Sequence, residues 1–221
     1  MAEKKILIFN VNWLGDVLFS TATIRNIRYN FPESYIGCII PPRAYEVLKG
    51  NPHIDEIILF DEKERQSSIK EKINFVRLLK FKKFNMVFLL HRSFTRAFLC
   101  WLAGIPERIG YATLKRRFIL TKGIPAIDRD SLHRIDYYLN IIEKAGLKVY
   151  DRYLEFFVEE KDIDFVKGIL EKQNIRDSDF LVGLNPGGNW APKRWPEEYW
   201  AKLADRLIEE FSFKVIITGG P

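Results

Sequence analysis

Short, apolar, β-rich runs alternate with segments of helical spacing from the beginning of the chain. The first four runs cover residues 6–9, 35–40, 57–60 and 86–90. Near-continuous apolar runs of this length are typical of parallel strands, because crossover helices bury both faces of such a sheet. The alternation therefore predicts a doubly wound, Rossmann-like α/β domain.

Helical spacing follows each of these strands, over residues 17–31, 42–50, 66–83, 94–104 and 131–146. The helix at 66–83 has an apolar stripe flanked by lysines, which predicts packing on the sheet, with a layer of anionic lipid head groups as the alternative. The stretch 98–103 is apolar on every side and predicts a buried helix.

The same alternation begins again in the last third of the chain, with helices at 161–173 and 196–211 and strands at 180–184 and 213–218. We therefore expect two domains, residues 1–155 and residues 156–221. The sequence stops just after a predicted strand, so we expect the second Rossmann-like domain to be incomplete and the chain to be truncated.

The net charge of +6 is unevenly distributed. Residues 1–150 carry 25 Lys and Arg against 15 Asp and Glu, whereas residues 151–221 carry 10 against 14. A basic surface attracts phosphate groups on nucleic acid, anionic lipid or a phosphorylated sugar, and its sign does not choose among them. The two cysteines exclude a disulfide scaffold and a zinc module, and the absence of a long apolar run predicts a cytoplasmic protein.

Asp16 lies in the first strand-to-helix turn, where ligands bind in open α/β sheets. That turn lacks the G-x-G-x-x-G pattern of dinucleotide sites. The alternative is that Asp16 is the N-cap of a helix beginning at Val17.

A second turn, at residues 185–198, combines Gly187 and Gly188 with the cations Lys193 and Arg194 before a helix that starts near Pro196. Glycines permit close backbone approach, and the lysine supplies positive charge, so the pattern suits a diphosphate. The alternative is a glycine-rich connection with solvated cations.

Further cations are dispersed through the loops of the first domain, and together they are candidates for binding an anionic acceptor. Each by itself is an ordinary candidate for a solvated surface charge. The set consists of Arg92, Arg96, Arg108, Lys115, Arg116, Arg117, His133 and Arg134. The three histidines have no metal-ligand spacing, so no metal site is predicted.

Three ordered motifs carry a family resemblance: WLGDV at 13–17, AGIPERIGY at 103–111 and PKRWP at 192–196. Together they resemble the ADP-heptose:lipopolysaccharide heptosyltransferases, glycosyltransferase family 9, of GT-B fold. The first and third motifs look more like the heptosyltransferase II branch.

The resemblance implies an inverting, metal-independent transfer of heptose from ADP-heptose to the inner core of lipopolysaccharide, with no cofactor. Asp16 would be the general base, and Lys193 would stabilise the leaving diphosphate. The implied donor-binding residues are Gly15, Gly187, Gly188, Lys193, Gly219 and Gly220, and the implied acceptor-binding residues are Arg92, Arg96, Arg116, Arg117 and His133.

The partners expected from this resemblance are a nucleotide-sugar donor, an anionic lipopolysaccharide-core acceptor and the cytoplasmic face of the inner membrane, contacted peripherally by a monomer. A truncated chain would be inactive by itself. The alternatives are a phosphate- or nucleic-acid-binding α/β module without catalysis, which the absence of a recognition helix disfavours, and a related transferase with another nucleotide sugar.

Overall fold

Residues 4–62, 64, 66–188 and 191–219 are described by a computed structural model, and the side chain of Lys193 lies outside that description. The chain divides into two units, Met1–Phe157 and Val158–Pro221.

A six-stranded, fully parallel sheet forms the centre of the first unit, in the order β3-β2-β1-β4-β5-β6. The strands are β1 (Lys5–Phe9), β2 (Tyr35–Ile40), β3 (Glu56–Leu59), β4 (Met86–Leu89), β5 (Glu107–Ala112) and β6 (Lys122–Pro125). The strand order reverses between β1 and β4, and ligands of such sheets bind beyond the carboxyl ends of the strands at that reversal.

The four predicted strands are confirmed, and β5 and β6 were missed. The strand β5 begins with charged residues and contains Gly110, so it lacks a continuous apolar run. The strand β6 is a four-residue edge strand that contains Gly123 and Pro125, residues that are depleted in strands and are tolerated at sheet edges.

Alternate residues of β1 pack on opposite faces of the sheet. Ile6 and Ile8 belong to one apolar cluster, and Leu7 and Phe9 belong to the other. Both faces are therefore covered, as a doubly wound sheet requires.

The helices of this unit are α1 (Leu14–Phe19), α2 (Thr21–Asn30), α3 (Tyr45–Leu48, after a 3₁₀ turn at Pro42–Ala44), α4 (Ile69–Lys82), α5 (Phe94–Leu102) and α6 (Arg134–Lys144). The helix predicted over 17–31 is two helices that meet at Ser20. The hydroxyl of Ser20 donates to the carbonyl of Val17 over 2.7 Å and accepts from the amide of Asn10 over 2.8 Å. Local side-chain bonds of this kind compete with a continuous helix.

The prediction that residues 98–103 are buried on every side is wrong. Ala97, Leu99 and Cys100 face the sheet, whereas Trp101 and Leu102 are 48% and 45% exposed. One side of α5 has no covering element in the described structure, so half of an apolar helix surface meets solvent.

The second unit contains α7 (Glu160–Lys172), β7 (Leu181–Leu184), a 3₁₀ turn (Ala191–Lys193), α8 (Glu197–Phe211) and β8 (Lys214–Ile217). The two strands pair in parallel. The predicted elements and the α/β fold class are thus confirmed. Among the described residues, no helix is both long enough and apolar enough to cross a membrane.

Candidate active site

Asp16 occupies the first turn of α1, directly beyond the carboxyl end of β1. The helix begins at Leu14, and the backbone amide of Val17 already donates to the carbonyl of Trp13 over 2.9 Å. Asp16 is therefore inside the helix, and the prediction that it is the N-cap is wrong. An acidic side chain in the first turn is still stabilised by the helix dipole.

The carboxylate of Asp16 is held by groups from distant parts of the chain. Arg129 donates from Nη2 to Oδ2 over 2.8 Å, and the hydroxyl of Tyr138 donates to Oδ1 over 3.1 Å. The guanidinium of Arg134 lies 3.9 Å from Oδ1. The side chain of Asp16 is only 12% exposed, so these contacts form where little water screens them.

The two direct partners of Asp16 are stabilised in their protonated forms. Burial opposes the charge on Arg129, but Asp16 and Tyr138 outweigh this effect and raise the pKa of the guanidinium. Burial, followed by the nearby charge of Asp16, raises the pKa of Tyr138. Both groups therefore remain hydrogen-bond donors to Asp16 at neutral pH.

Asp16 opens into a pocket of about 220 Å³ at the reversal point between β1 and β4. The lining comes from the segments after these two strands, from the loop before α6 and from α6 itself. It consists of Val11, Asn12, Trp13, Asp16, Leu90, His91, Arg92, Arg129, Tyr137 and Tyr138.

His91 is an uncharged donor in this pocket. Burial, followed by the cations Arg96, Arg116 and Arg129, lowers its pKa to about 4. Its Nδ1 accepts from the backbone amide of Ser93 over 3.0 Å. The neutral ring therefore carries its proton on Nε2.

Arg92 has a partly uncommitted guanidinium. It donates from Nη2 to the carbonyl of Ile127 and lies 5.0 Å and 5.1 Å from the ring centres of Tyr111 and Tyr137. Its buried Nε has no hydrogen-bond partner among the described residues. Arg92 as a residue lines the pocket, so its guanidinium is a source of positive charge there.

Arg96 and Arg116 are interior residues and not solvated surface cations. Arg96 is 3% exposed and donates to the carbonyl of Asn10 over 2.7 Å and to the side chain of Asn12 over 2.5 Å. Arg116 is fully buried and donates to the carbonyls of Tyr111 and His91 over 2.7 and 2.6 Å. Burial lowers the pKa of each guanidinium to about 10.

Arg117 and His133 lie outside the lining of this pocket. The exposed guanidinium of Arg117 stacks 4.6 Å from the ring of Phe118. His133 precedes α6, where its Nδ1 accepts from the amide of Ile135 over 3.3 Å. Of the five residues predicted to bind the acceptor, Arg92 alone lines the pocket with Asp16. Acceptor binding by the other four stays a prediction.

In the second unit, Gly187 and Gly188 follow β7 and Gly219 follows β8, so they lie at the carboxyl-end edge of two parallel strands. Among the described residues, a Cβ added at Gly187 would approach Asn185 at 3.6 Å, and one added at Gly188 would approach Arg194 at 3.8 Å. Gly15 belongs to α1 in the first unit. Gly220 and the side chain of Lys193 lie outside the described residues, so their roles stay predictions.

The residues that sequence reasoning missed are Arg129, Tyr137 and Tyr138. They lie more than 110 positions from Asp16, and no local spacing links them to it. Two adjacent buried tyrosines in α6, after a loop that contains Arg129, were the available signal. No three His, Cys, Asp or Glu side chains in the described ranges are grouped so as to hold a metal ion.

Residues 73–221 match the model of glycosyltransferase family 9 (heptosyltransferase). The chain is 24% identical over 224 residues to lipopolysaccharide heptosyltransferase 2 of Escherichia coli strain K12, and 25% identical over 224 residues to that of Salmonella typhimurium. These alignments cover 97% of this chain and 63% of each relative, so the chain spans less than two thirds of their length.

Two solved structures are similar to this chain. A family 9 glycosyl transferase from Veillonella parvula superposes with a TM-score of 0.91 at 29% identity, covering 99% of this chain and 63% of that one. The structure of E. coli ADP-heptose lps heptosyltransferase II superposes with a TM-score of 0.76 at 24% identity, covering 98% of this chain and 64% of that chain, and shows the same fold.

Proposed function

Because this chain belongs to glycosyltransferase family 9, we propose that it acts in transferring heptose from ADP-heptose to the inner core of lipopolysaccharide. The membership confirms the resemblance carried by the three motifs. The names of the relatives support the choice of sugar and acceptor. The chain spans less than two thirds of the length of these relatives, so their complete activity is proposed for it.

The observation that carries the proposal is the position of Asp16. Its carboxylate lies at the reversal point of the sheet, in a pocket, and is held by Arg129 and Tyr138. Each carboxylate oxygen has two lone pairs, so the two described hydrogen bonds leave acceptor sites on the carboxylate. An acceptor hydroxyl bound in the pocket can therefore donate its hydrogen bond to Asp16.

The proposed step is a displacement at the anomeric carbon of heptose. The acceptor hydroxyl oxygen forms the new bond to that carbon, and its proton passes to Asp16. The bond from the carbon to the diphosphate oxygen breaks, and ADP leaves with the electron pair. Attack opposite to the leaving group inverts the anomeric configuration.

On the donor side, we propose that Lys193 stabilises the charge that develops on the diphosphate, so that the reaction needs no metal. The support is the motif itself: Gly187 and Gly188 permit close backbone approach, and Lys193 follows five residues later. Gly219 and Gly220 follow the next strand in sequence and complete the proposed donor set.

On the acceptor side, Arg92 and Arg129 are the cations that the pocket offers to an anionic lipopolysaccharide core. We further propose that the protein works as a monomer in the cytoplasm and contacts the inner membrane peripherally, because its acceptor is attached to lipid.

The test of this function is Asp16→Asn in the full-length protein. Loss of a positioned base lowers turnover about 10²–10⁴-fold, whereas the affinity for ADP-heptose should stay nearly unchanged. The measurement is the release of ADP from ADP-heptose with a lipopolysaccharide-core acceptor. Near-normal turnover of the folded variant would exclude Asp16 as the base.

The matched control is Asp136→Asn. Asp136 is also in the first turn of a helix and also binds an arginine, Arg152, but it does not line the pocket of Asp16. The same chemical change there should leave turnover intact. Retention of the wild-type chain on DNA above about 0.5 M salt, with no sugar transfer, would favour the nucleic-acid-binding alternative.

A further comparison tests the donor side. Lys193→Ala should lower turnover more than Lys193→Arg, because the arginine retains the positive charge, and EDTA should leave turnover unchanged. Loss of activity in EDTA that magnesium restores would show that a metal ion carries the charge of the leaving group.

A further inference from the structure

The outward side of α5 is an exposed row of aromatic rings. Phe94, Phe98 and Trp101 stack in sequence, with ring centres 5.7 Å and 5.5 Å apart. Trp101 is 48% exposed, and Leu102 beside it is 45% exposed. Large apolar side chains that form a continuous exposed row indicate an interaction surface, whereas single exposed ones do not.

A neighbouring turn extends this row. Residues 113–118 present Leu114 and Phe118, which are 83% and 80% exposed. The buried Arg116 between them donates to the carbonyl of Ser93 over 3.3 Å, and Ser93 caps the N-terminus of α5. The turn and the aromatic row are therefore held together.

The surface formed by Phe94, Phe98, Trp101, Leu102, Leu114 and Phe118 is called the aromatic face here. The adjacent helix α4 covers the same side of the sheet and packs beside α5. It exposes Ile69 and Phe81, which are 79% and 83% exposed.

Positive charge surrounds these apolar groups. Among the charged residues of 91–120 and α4 that are exposed, the cations are Lys70, Arg77, Lys80, Lys115 and Arg117, and the acid is Glu107. At the aromatic face itself, the guanidinium of Arg117 stacks on Phe118, and Lys115 is exposed beside it. Apolar rings inside a basic rim are complementary to a layer of anionic lipid head groups above acyl chains.

A second copy of the chain fits this surface less well. A two-fold dimer would bring the same basic rim against itself, and like charges would repel across the interface. An anionic bilayer neutralises the rim instead.

The aromatic face also adjoins the candidate active site. His91 and Arg92 line the pocket of Asp16, and α5 begins two residues later at Phe94. Arg116 binds the carbonyls of both His91 and Ser93, so it connects the two regions.

We infer that the aromatic face docks the first unit on an anionic lipid surface, with Phe98 and Trp101 inserted among the head groups. The inference deepens the membrane contact included in the proposed function by assigning it to specific residues. It places the mouth of the acceptor pocket close to the layer in which a lipid-attached acceptor lies.

The test is sedimentation of the purified chain with vesicles of phosphatidylcholine containing about one third phosphatidylglycerol, without donor or acceptor. We expect binding to these vesicles and weak binding to pure phosphatidylcholine. The double variant Phe98→Ser/Trp101→Ser should bind about tenfold more weakly or worse, because two large apolar groups lose their burial. Lys115→Gln and Arg117→Gln should each weaken binding about fivefold and reduce its sensitivity to salt.

The control is Phe165→Ser, which removes a more exposed helical phenylalanine from the second unit. It should bind vesicles as the wild type does. Trp101→Phe should also retain most of the binding, since it preserves an aromatic ring. Unchanged thermal unfolding of the double variant excludes misfolding as the reason for a loss.

Equal vesicle binding by the double variant and the wild type would overturn the inference. A second result would also overturn it: the wild type binds neither kind of vesicle but forms a dimer, and the double variant does not form that dimer. The aromatic face would then bind a second copy of the chain. Failure of vesicle binding with intact transfer to a water-soluble core acceptor would leave the proposed function standing. Intact vesicle binding without transfer by the full-length protein would reject the function alone.

Discussion

The carboxylate of Asp16 is held in place by hydrogen bonds from residues far away in sequence. Arg129 and Tyr138 each bind a different oxygen of Asp16, which fixes the plane of the carboxylate and directs its remaining lone pairs. Positioning of a base matters because proton transfer requires hydrogen-bond distance to the acceptor hydroxyl. Arg129 is thus a positioning residue for the proposed reaction.

A double-mutant cycle tests the coupling of Arg129 to Asp16. Arg129→Gln should lower kcat about tenfold or more, and Arg129→Lys should restore part of the loss by supplying one charged donor. In an Asp16→Asn background, Arg129→Gln should cause little further loss, since its partner is already disabled. Equal losses in both backgrounds would show that Arg129 acts independently of Asp16.

The control for this cycle is Arg152→Gln. It removes an arginine from another Arg–Asp pair of the first unit, with Asp136, and Arg152 does not line the pocket of Asp16. Its kcat should match that of the wild type in both backgrounds.

His91 gives the stability of the protein a defined pH dependence. Its pKa is lowered from 6.5 to about 4 by burial and by the neighbouring Arg96, Arg116 and Arg129, against a weaker opposite effect of Asp16. Between pH 6.5 and about pH 4, His91 is protonated in the unfolded chain and neutral in the folded chain. The stability present above pH 6.5 is therefore lost progressively as the pH falls toward 4.

Urea unfolding of the wild type and His91→Asn between pH 4 and pH 7 measures this contribution. The asparagine oxygen can replace Nδ1 as the acceptor for the amide of Ser93, but it does not titrate. The difference in unfolding free energy between the two proteins should shrink, or turn in favour of the variant, as the pH is lowered. A difference that is independent of pH would show that His91 titrates normally in the folded state.

At the scale of elements, the buried Arg116 joins the end of β5 to the loop after β4. Its hydrogen bonds reach the carbonyls of Tyr111, His91 and Ser93. The guanidinium crosses the backbone at Gly110, where an added Cβ would lie 2.8 Å from Nη2 and 2.8 Å from the carbonyl oxygen of Leu89. Close approach explains why the AGIPERIGY motif has glycine at this position.

Gly110→Ala should destabilise the first unit by about 1–3 kcal/mol, because either Arg116 or β4 must move. Thermal or urea unfolding measures this loss. The matched control is Gly168→Ala in α7, where an added Cβ meets no atom of the described residues within 4 Å and alanine favours the helix. A Gly110→Ala protein as stable as the wild type would show that the guanidinium has room to shift.

At the scale of the whole molecule, the two units differ in how much apolar surface they bury. The first unit has an apolar cluster on each face of its sheet. Among the described residues of the second unit, Leu184 is the one that is buried, and α7 and α8 contain no buried residue. Local stability follows buried apolar contact, so the two units should differ in local unfolding.

Hydrogen exchange of the chain measures this difference. Backbone amides of β1, β2 and β4 should be the most strongly protected, and those of β7 and β8 should exchange much faster under the same conditions. Equal protection in the strands of both units would contradict the interpretation that burial in this chain governs local opening.

Strands that bury both faces could be read directly from the sequence. The runs that became β1, β2, β3 and β4 are apolar at nearly every position, because parallel strands under two helical layers require it. The strands β5 and β6 were hidden, because charged residues, glycine and proline are tolerated near an edge, and edge position is a property of the assembled sheet.

The candidate site divides in the same way. The turn after β1 pointed to Asp16, since the carboxyl ends of parallel strands are the ligand edge of any such sheet. Only the tertiary structure could bring Arg129 and Tyr138 to Asp16 across more than 110 residues, and only it could show that Arg96 and Arg116 are interior groups bound to carbonyls. The sequence by itself thus determined the parallel α/β architecture, the family and the base candidate, because periodicity and short motifs are local. Which cations are buried, which helix face stays exposed and which groups hold Asp16 were decided by long-range packing.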